Sequence, residues 1–333
     1  MKALFIGGTG TISMSITRAL SRTDWELTLV NRGNHVDDVP SDIRQITCDI
    51  GNEDELLSLI RDESFDVVAD FIAFVPEQVH RDVRLFEGRC GQYIFISSAS
   101  IYQKPLSHYA ITESTPVSNP YWKYSQAKIA CEEYLNTQYR QNGFPITIVR
   151  PSHTYADGSI PLSFHSPKGP WTEIERMRNG KAVILHGDGS SLWTVTHSVD
   201  FAKGFIGLMG NTHAIGETVH ITSDESLTWN QIYKSIGNAL GVEPKIAHIS
   251  TDMLVRLDSS LDGPLNGDKA HSVVFDNSKI KRLVPGFTAT IRFDEGIRQS
   301  VGELMMRPEL QVPDPDWDAW IDKVLMLNFR TPV

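Results

Sequence analysis

Cysteine is scarce in this chain: Cys48, Cys90 and Cys131 lie far apart, and no pair has metal-ligand spacing. They read as reduced thiols, buried or half-buried, and no His/Asp/Glu cluster has the spacing of a metal site. No run approaches the roughly 20 apolar residues that a membrane helix needs. The apolar part of Met1–Gly7 is too short for a signal peptide, so a cytoplasmic location is expected. Positive charge is also in short supply, with 31 basic against 41 acidic residues and a net charge of −10. An excess of that sign repels phosphate backbones, which makes nucleic acid an unexpected partner. Internal repeats and low-complexity tracts are lacking too. At 41% apolar and 22% charged residues over 333 positions, the chain has the make-up of a soluble globular protein. It is long enough to bury one large domain or two.

The first half alternates short apolar runs with helical patterns, the signature of βαβ units and a parallel sheet. Strands are predicted at Leu4–Ile6, at Leu27–Val30, within Phe65–Ile72, at Tyr93–Ser97 and at Pro145–Val149. Helices are predicted over Ile12–Ser21, over Pro76–Phe86, and over Trp122–Arg140 with Asn142-Gly143 as the stop. Another starts at the cap Asn52-Glu53-Asp54-Glu55, with Leu56, Leu57, Leu59 and Ile60 on its apolar stripe. After Pro151 the alternation weakens, and Gly, Pro and Ser cluster between Asp157 and Pro170. A helix at Val199–Met209 and a strand at Glu217–Ile221 look like a return to the sheet. An amphipathic helix at Trp229–Leu240, ended by Gly241, and a last helix near Trp317–Leu325 follow. The expected fold class is α/β: a doubly wound parallel (Rossmann) sheet over residues 1–155, with returning segments near 197–224. Residues 156–333 would form mainly a smaller α/β substrate lobe.

Gly7-Gly8-Thr9-Gly10-Thr11-Ile12-Ser13 directly follows the first strand and opens a helix, the context that gives a glycine motif weight. Glycine lets the backbone turn tightly and approach a pyrophosphate, whose charge then lies on the helix N-terminus. Gly7, Thr9, Gly10, Thr11 and Ile12 are therefore candidate dinucleotide contacts. Ser13 stands where a third glycine would serve helix–strand packing. Asn31 and Arg32 end the second strand. With no carboxylate there to bind the ribose hydroxyls, Arg32 could pair with a 2′-phosphate, so the reading leans to NADP over NAD. The alternative is a solvated arginine stacking on adenine. Asp49 and Ile50, closing the run Ile43–Ile50, are candidate adenine contacts or simply a turn cap.

Tyr124 and Lys128 are four apart on a predicted helix and share a face. A phenol of ordinary pKa near ~10 is a poor base at neutral pH, and an ammonium one turn away is expected to favour the tyrosinate. The strand Tyr93–Ser97 runs into Ser98-Ala99-Ser100, hydroxyls at the edge where doubly wound sheets bind ligands. Ser98 would steady the charge that develops on a substrate oxygen.

On these residues the chain resembles the extended short-chain dehydrogenase/reductases, the NAD-dependent epimerase/dehydratase group, which acts largely on nucleotide sugars. The resemblance is carried by Gly7–Ile12, Ile96–Tyr102, Thr112-Glu113-Ser114-Thr115-Pro116, Tyr124–Lys128 and Val149–Tyr155, and more loosely by Gly187–Asp224. It implies that Ser98, Tyr124 and Lys128 are the catalytic trio. Lys128, Ala73, Pro151 and His153 would contact the cofactor, and Ser98, Ser100 and Trp193 the substrate. It implies, too, a hydride passing between NAD(P) and a sugar carbon while the tyrosine handles the hydroxyl proton. A homodimer would pair through the helix after Pro76 and the helix carrying Tyr124.

Three departures from the family pattern sharpen the expectation. The 4,6-dehydratases carry Asp-Glu directly after the catalytic hydroxyl residue, where this chain has Ala99-Ser100, so dehydration is disfavoured. Many members place an arginine seven residues before the aspartate matched by Asp200, and this chain has Trp193, which cannot neutralise a diphosphate. Where relatives offer an asparagine near Arg150-Pro151-Ser152, it has His153. A free sugar, a glycoside or another small hydroxy compound thus stands beside a nucleotide sugar as possible substrate, with Trp193 either stacking on it or packing between lobes. His197 reads as a buried histidine bonded to backbone. Three functions follow: a sugar-modifying oxidoreductase or epimerase that recycles NAD(P), a reductase or dehydrogenase of a smaller carbonyl or hydroxy compound, and a binding or regulatory protein on the same fold.

Overall fold

The computed structural model describes residues 1–33 and 38–330. Seven parallel strands form the central sheet: β1 (Lys2–Ile6), β2 (Glu26–Asn31), β3 (Arg44–Thr47), β4 (Val67–Asp70), β5 (Tyr93–Ile96), β6 (Ile146–Pro151) and β7 (Thr218–Ile221). Their order across the sheet is β7-β6-β5-β4-β1-β2-β3, so the winding reverses beside β1. The inner strands are buried on both faces, as their unbroken apolar runs require. Helix α1 (Thr11–Leu20) packs with α5 (Ser198–Leu208) on one face. The other face carries α2 (Glu53–Ile60), α3 (Pro76–Phe86) and α4 (Lys123–Asn142).

The expected strands and helices form within a few residues of their predicted limits. Asn52 caps α2 by accepting from the Glu55 N–H, and Gly143 ends α4 in the left-handed conformation at φ +70°. The stripe of α2 is narrower than its leucines suggest: Leu56 and Ile60 are buried, while Leu59 is 41% exposed. The returning segments also form. Thr218–Ile221 pairs with Ile148–Pro151 at the sheet edge, and Ser198–Leu208 docks on α1.

Beyond the sheet, apolar side chains gather in separate clusters. One joins Trp193, the helix α6 (Trp229–Leu240) and α7 (Phe293–Met306). The other lies under the last helix, α8 (Pro315–Arg330), and the parallel strand pair Ala182–His186 with Lys245–Ile249. That pair is not evident from the sequence, because its halves lie some sixty residues apart and the second is half-exposed.

Candidate active site

The predicted site residues all collect along the carboxyl edge of the sheet. Gly7 sits at φ +81°, a conformation that favours glycine, and a Cβ there would collide with Ile72. Ser13 shows why a hydroxyl replaces the third glycine. Its Oγ accepts from the Gly10 N–H at 2.9 Å and donates to the Gly7 carbonyl at 2.8 Å, closing the turn on itself. Thr9, Asn31, Arg32, Asp49 and Ile50 line a cleft of about 560 Å³ with Gly7. Asn31 is tied locally, accepting from the Gly33 N–H and donating to Gln45, while Arg32 is exposed at the rim. Thr11 and Ile12 form the first turn of α1 beside the cleft. The glycine turn, the helix N-terminus and the cleft together fit a dinucleotide, with the pyrophosphate on α1.

A second cavity, of about 230 Å³, brings Ser98 and Tyr124 of the predicted trio together with the predicted substrate residues Ser100 and Trp193, and also with Pro151 and His153, which were expected at the cofactor. Lys128 lies between the two spaces. Its ammonium donates to the Ala73 and Ile96 carbonyls, both at 2.6 Å, and sits over the rings of Phe74 and Phe95. Ala73 is itself buried, and its N–H donates to Asp70. Burial pushes Lys128 down to about 8.

Tyr124 differs from expectation. Burial pushes its phenol above the ordinary value, opposed by a hydrogen bond with Ser98, and the charge of Asp268 raises it further. The Lys128 ammonium lies 5.9 Å from the Tyr124 ring centroid and bonds two backbone carbonyls rather than the phenol. Ser98 is joined to Ser100 at 2.9 Å, and Ser100 to Ser125 at 2.7 Å, a file of hydroxyls behind the phenol. Burial, the charge of Lys269 and that of His165 push His153 down to about 3, so it presents a neutral imidazole. Trp193 is 3% exposed and packs on Trp229 with ring centroids 5.4 Å apart, so only part of its surface meets the cavity. His197 accepts from the Val199 N–H at the start of α5, a cap outside both cavities.

Several residues at the site escaped the sequence reading. Phe74 lines the dinucleotide cleft, and its ring stands 6.2 Å from that of Tyr124, where the two spaces approach. Asn119 holds the α4 end of the site together. It accepts from the Tyr121 and Trp122 N–H groups and donates to the carbonyls of Ser100 and Gly267. Asp268, Lys269 and Phe275 form the far wall of the second cavity. Gly263 and Gly267 were the available signal: a Cβ on Gly263 would collide with the Trp122 ring, and Gly267 lies nearly as close.

Enzymes of the short-chain dehydrogenase type are built this way, and comparison places the chain among them. A family model for the NAD dependent epimerase/dehydratase family matches residues 3–221. This protein therefore belongs to the NAD-dependent epimerase/dehydratase family. Among curated relatives, a 2′-dehydrokanamycin reductase of Streptomyces kanamyceticus is 24% identical over 72% of this chain and 67% of its own length. A chloroplast stem-loop binding protein of Arabidopsis thaliana is 27% identical over 74% and 65%. The match thus spans about two thirds of these relatives. Among solved structures, dTDP-glucose 4,6-dehydratase from Bacillus anthracis in complex with NAD has a TM-score of 0.75 at 17% identity, covering 93% of this chain and 98% of that one. UDP-glucuronic acid 4-epimerase from Bacillus cereus, in complex with UDP-glucuronic acid and NAD, has 0.73 at 18%, covering 92% and 99%. At those identities the likeness is one of fold.

Proposed function

We propose that this enzyme moves a hydride between NAD(P) and a carbon of a sugar-like substrate, with Tyr124 as the acid or base on the substrate oxygen. The observation that carries this is the meeting of Tyr124 and Ser98 in one cavity, with Lys128 of the same helix bridging Ala73 and Ile96 beside the dinucleotide cleft. Bound NAD(P) would supply the hydride and, when oxidised, a positive charge that favours the tyrosinate. Its pyrophosphate would lie on Gly7, Thr9, Gly10, Thr11 and Ile12, and its adenosine against Asp49 and Ile50. Ala73, Lys128, Pro151 and His153 would surround the nicotinamide half.

In the free enzyme the raised phenol pKa keeps Tyr124 protonated, so it is set to donate a proton to a carbonyl as that carbonyl is reduced. Ser98 would donate to the same oxygen and stabilise the charge that develops on it. Ala99-Ser100 provides no acid–base pair for eliminating water, which leaves oxidation, reduction and epimerisation. The small volume of the cavity favours a reductase or dehydrogenase of a compact compound as the second reading, and the similar protein from S. kanamyceticus is named a reductase. The −10 charge opposes a stem-loop-binding role.

On this reading residues 1–155, with 197–224, hold the dinucleotide, and the rest mainly holds substrate. The absence of an acid at the end of β2, with Arg32 at the rim, favours NADP. Equal or tighter binding of NAD in a titration of both would overturn that preference. Helices α3 and α4 pack side by side, as the seam of a homodimer requires, and sedimentation as a monomer at micromolar concentration would exclude it. The central test is Tyr124→Phe. It should lower kcat by about 10²–10⁴-fold with cofactor Kd nearly unchanged, and unaltered turnover removes the mechanism.

A further inference from the structure

The lobe side of the second cavity carries charge that hydride transfer at Tyr124 does not use. Lys269 lines this wall at the end of a π-helical turn, Leu265–Lys269. Three donors fix its backbone: His186 Nε2, Ser191 Oγ and the Trp229 indole N–H all bond the Lys269 carbonyl, at 2.9, 3.2 and 3.2 Å. Its ammonium makes no ion pair among the described residues. Beside it Asp268 lines the same cavity, and Lys104, 4% exposed, leaves its ammonium without a hydrogen-bond partner among the described residues. Trp193, on the same wall, keeps a buried indole N–H that meets no acceptor among the described residues.

Charge balance makes this arrangement informative. Lys104 and Lys269 are both drawn out of water, and both feel Asp268 as their countercharge. Two ammoniums against one carboxylate leave one positive charge uncompensated. The nearby histidines do not alter the sum, since burial pushes His153 and His186 down to near 3 and 4 and lowers His271 beside Asp268 as well. A desolvated, unmatched charge is costly unless an opposite charge arrives. The buried indole N–H is likewise a donor awaiting an acceptor.

We propose that this wall is a subsite for a single carboxylate, received by Lys269 with the Trp193 indole N–H beside it, and that the substrate is a sugar acid. The proposal rests on the hydride-transfer reading above and names the substrate class for the same cavity. About 230 Å³ lies below the roughly 300–1,000 Å³ of drug-sized ligand sites, so it suits a monosaccharide acid, whereas a nucleoside diphosphate would extend beyond it.

Calorimetric titration of the NAD(P)⁺-saturated protein with glucuronate, glucose and glucose 6-phosphate tests this without relying on activity. Glucuronate should bind at least about tenfold more tightly than glucose. Lys269→Met should abolish that preference, and Trp193→Phe should reduce it several-fold, both leaving cofactor affinity unchanged. Equal binding of glucuronate and glucose, binding of neither, or a preference that survives Lys269→Met overturns the subsite. Tighter binding of glucose 6-phosphate overturns the choice of carboxylate over phosphate. A Tyr124→Phe protein that keeps the glucuronate preference but shows undiminished nicotinamide reduction would instead overturn the acid–base role of Tyr124 and leave the subsite standing.

Discussion

Lys128 and Lys269 are both drawn out of water beside the same cavity, yet the chain treats them in opposite ways. On the sheet side, Lys128 is held by two carbonyls, and the aromatic rings of Phe74 and Phe95 cover its charge. The Lys128 ammonium has both its acceptors there, supplied by backbone that the sheet fixes in advance. On the lobe side, Lys269 has a backbone pinned as firmly, but among the described residues its ammonium has no ion pair and the indole N–H beside it no acceptor. The sheet wall is complete by itself and suits a cofactor that must be placed the same way each time. The lobe wall is completed only by what binds, which is where specificity is expected to lie.

That contrast breaks most visibly at the turn under the cofactor. Gly7→Ala places a Cβ against Ile72 in a backbone region that alanine rarely adopts. The strain, about 1–3 kcal/mol, pushes the Ile72 side chain toward the cleft it lines. Dinucleotide affinity should fall by up to about a hundredfold, that strain being worth about 1–2 log units. Fluorescence titration with NADPH checks this, and affinity within threefold of wild type would show that the turn does not carry the pyrophosphate.

Lys128→Met leaves two buried carbonyls without their donor, at a cost of about 1–3 kcal/mol each, partly offset by removal of a desolvated charge. The net loss should be about 2 kcal/mol, and it should depend on pH. The folded pKa of Lys128 lies at about 8, below its ordinary 10.5, so the unfolded chain binds the extra proton in that window. The charging penalty is fully present below about pH 8 and is relieved as pH rises toward 10.5, so wild-type stability climbs there while the variant's does not. The gap in urea midpoints should therefore widen from pH 8 to pH 10. A gap that narrows would mean the lysine is not desolvated as described.

The legible and illegible parts of the molecule divide along the same line. The sheet wall could be read in advance because its residues are local: each follows a strand directly, and strand and helix periodicities announce both the edge and the helix that carries Tyr124. Phe74 escaped because it looks like one more apolar residue in the run Phe71–Val75, yet it is 47% exposed and stands between the cavities. Asp268 and Lys269 escaped for a different reason. They lie some 140 residues beyond Tyr124, in a stretch with Gly263, Pro264 and Gly267 that reads as a loop, and only packing on Trp122 and the bond from Asn119 bring it home. Trp193 was noticed as a missing arginine, but its packing on Trp229 has no sequence signature.

Ser13, a departure inside the legible part, carries a smaller prediction. Restoring the family's glycine with Ser13→Gly removes the hydroxyl that bonds Gly10 N–H and Gly7 O and adds backbone freedom inside α1. Stability should drop by about 1–2 kcal/mol, with a modest loss of cofactor affinity. A variant as stable as wild type would mean that the hydroxyl merely fills space.

The smallest effect on stability is expected where the lobe wall is least complete. Lys269→Met removes a desolvated ammonium that makes no ion pair among the described residues, while the bonds to the residue 269 carbonyl are backbone contacts that the new side chain leaves alone. Unlike Lys128→Met, it should leave the thermal midpoint at or slightly above that of wild type. Added glucuronate should then raise the wild-type midpoint but not the variant's, since a ligand stabilises only the protein that binds it. The sign is what separates the two lysines. If Lys269→Met destabilised the enzyme as much as Lys128→Met, the ammonium would have to be serving the fold, and the lobe wall would be as self-sufficient as the sheet.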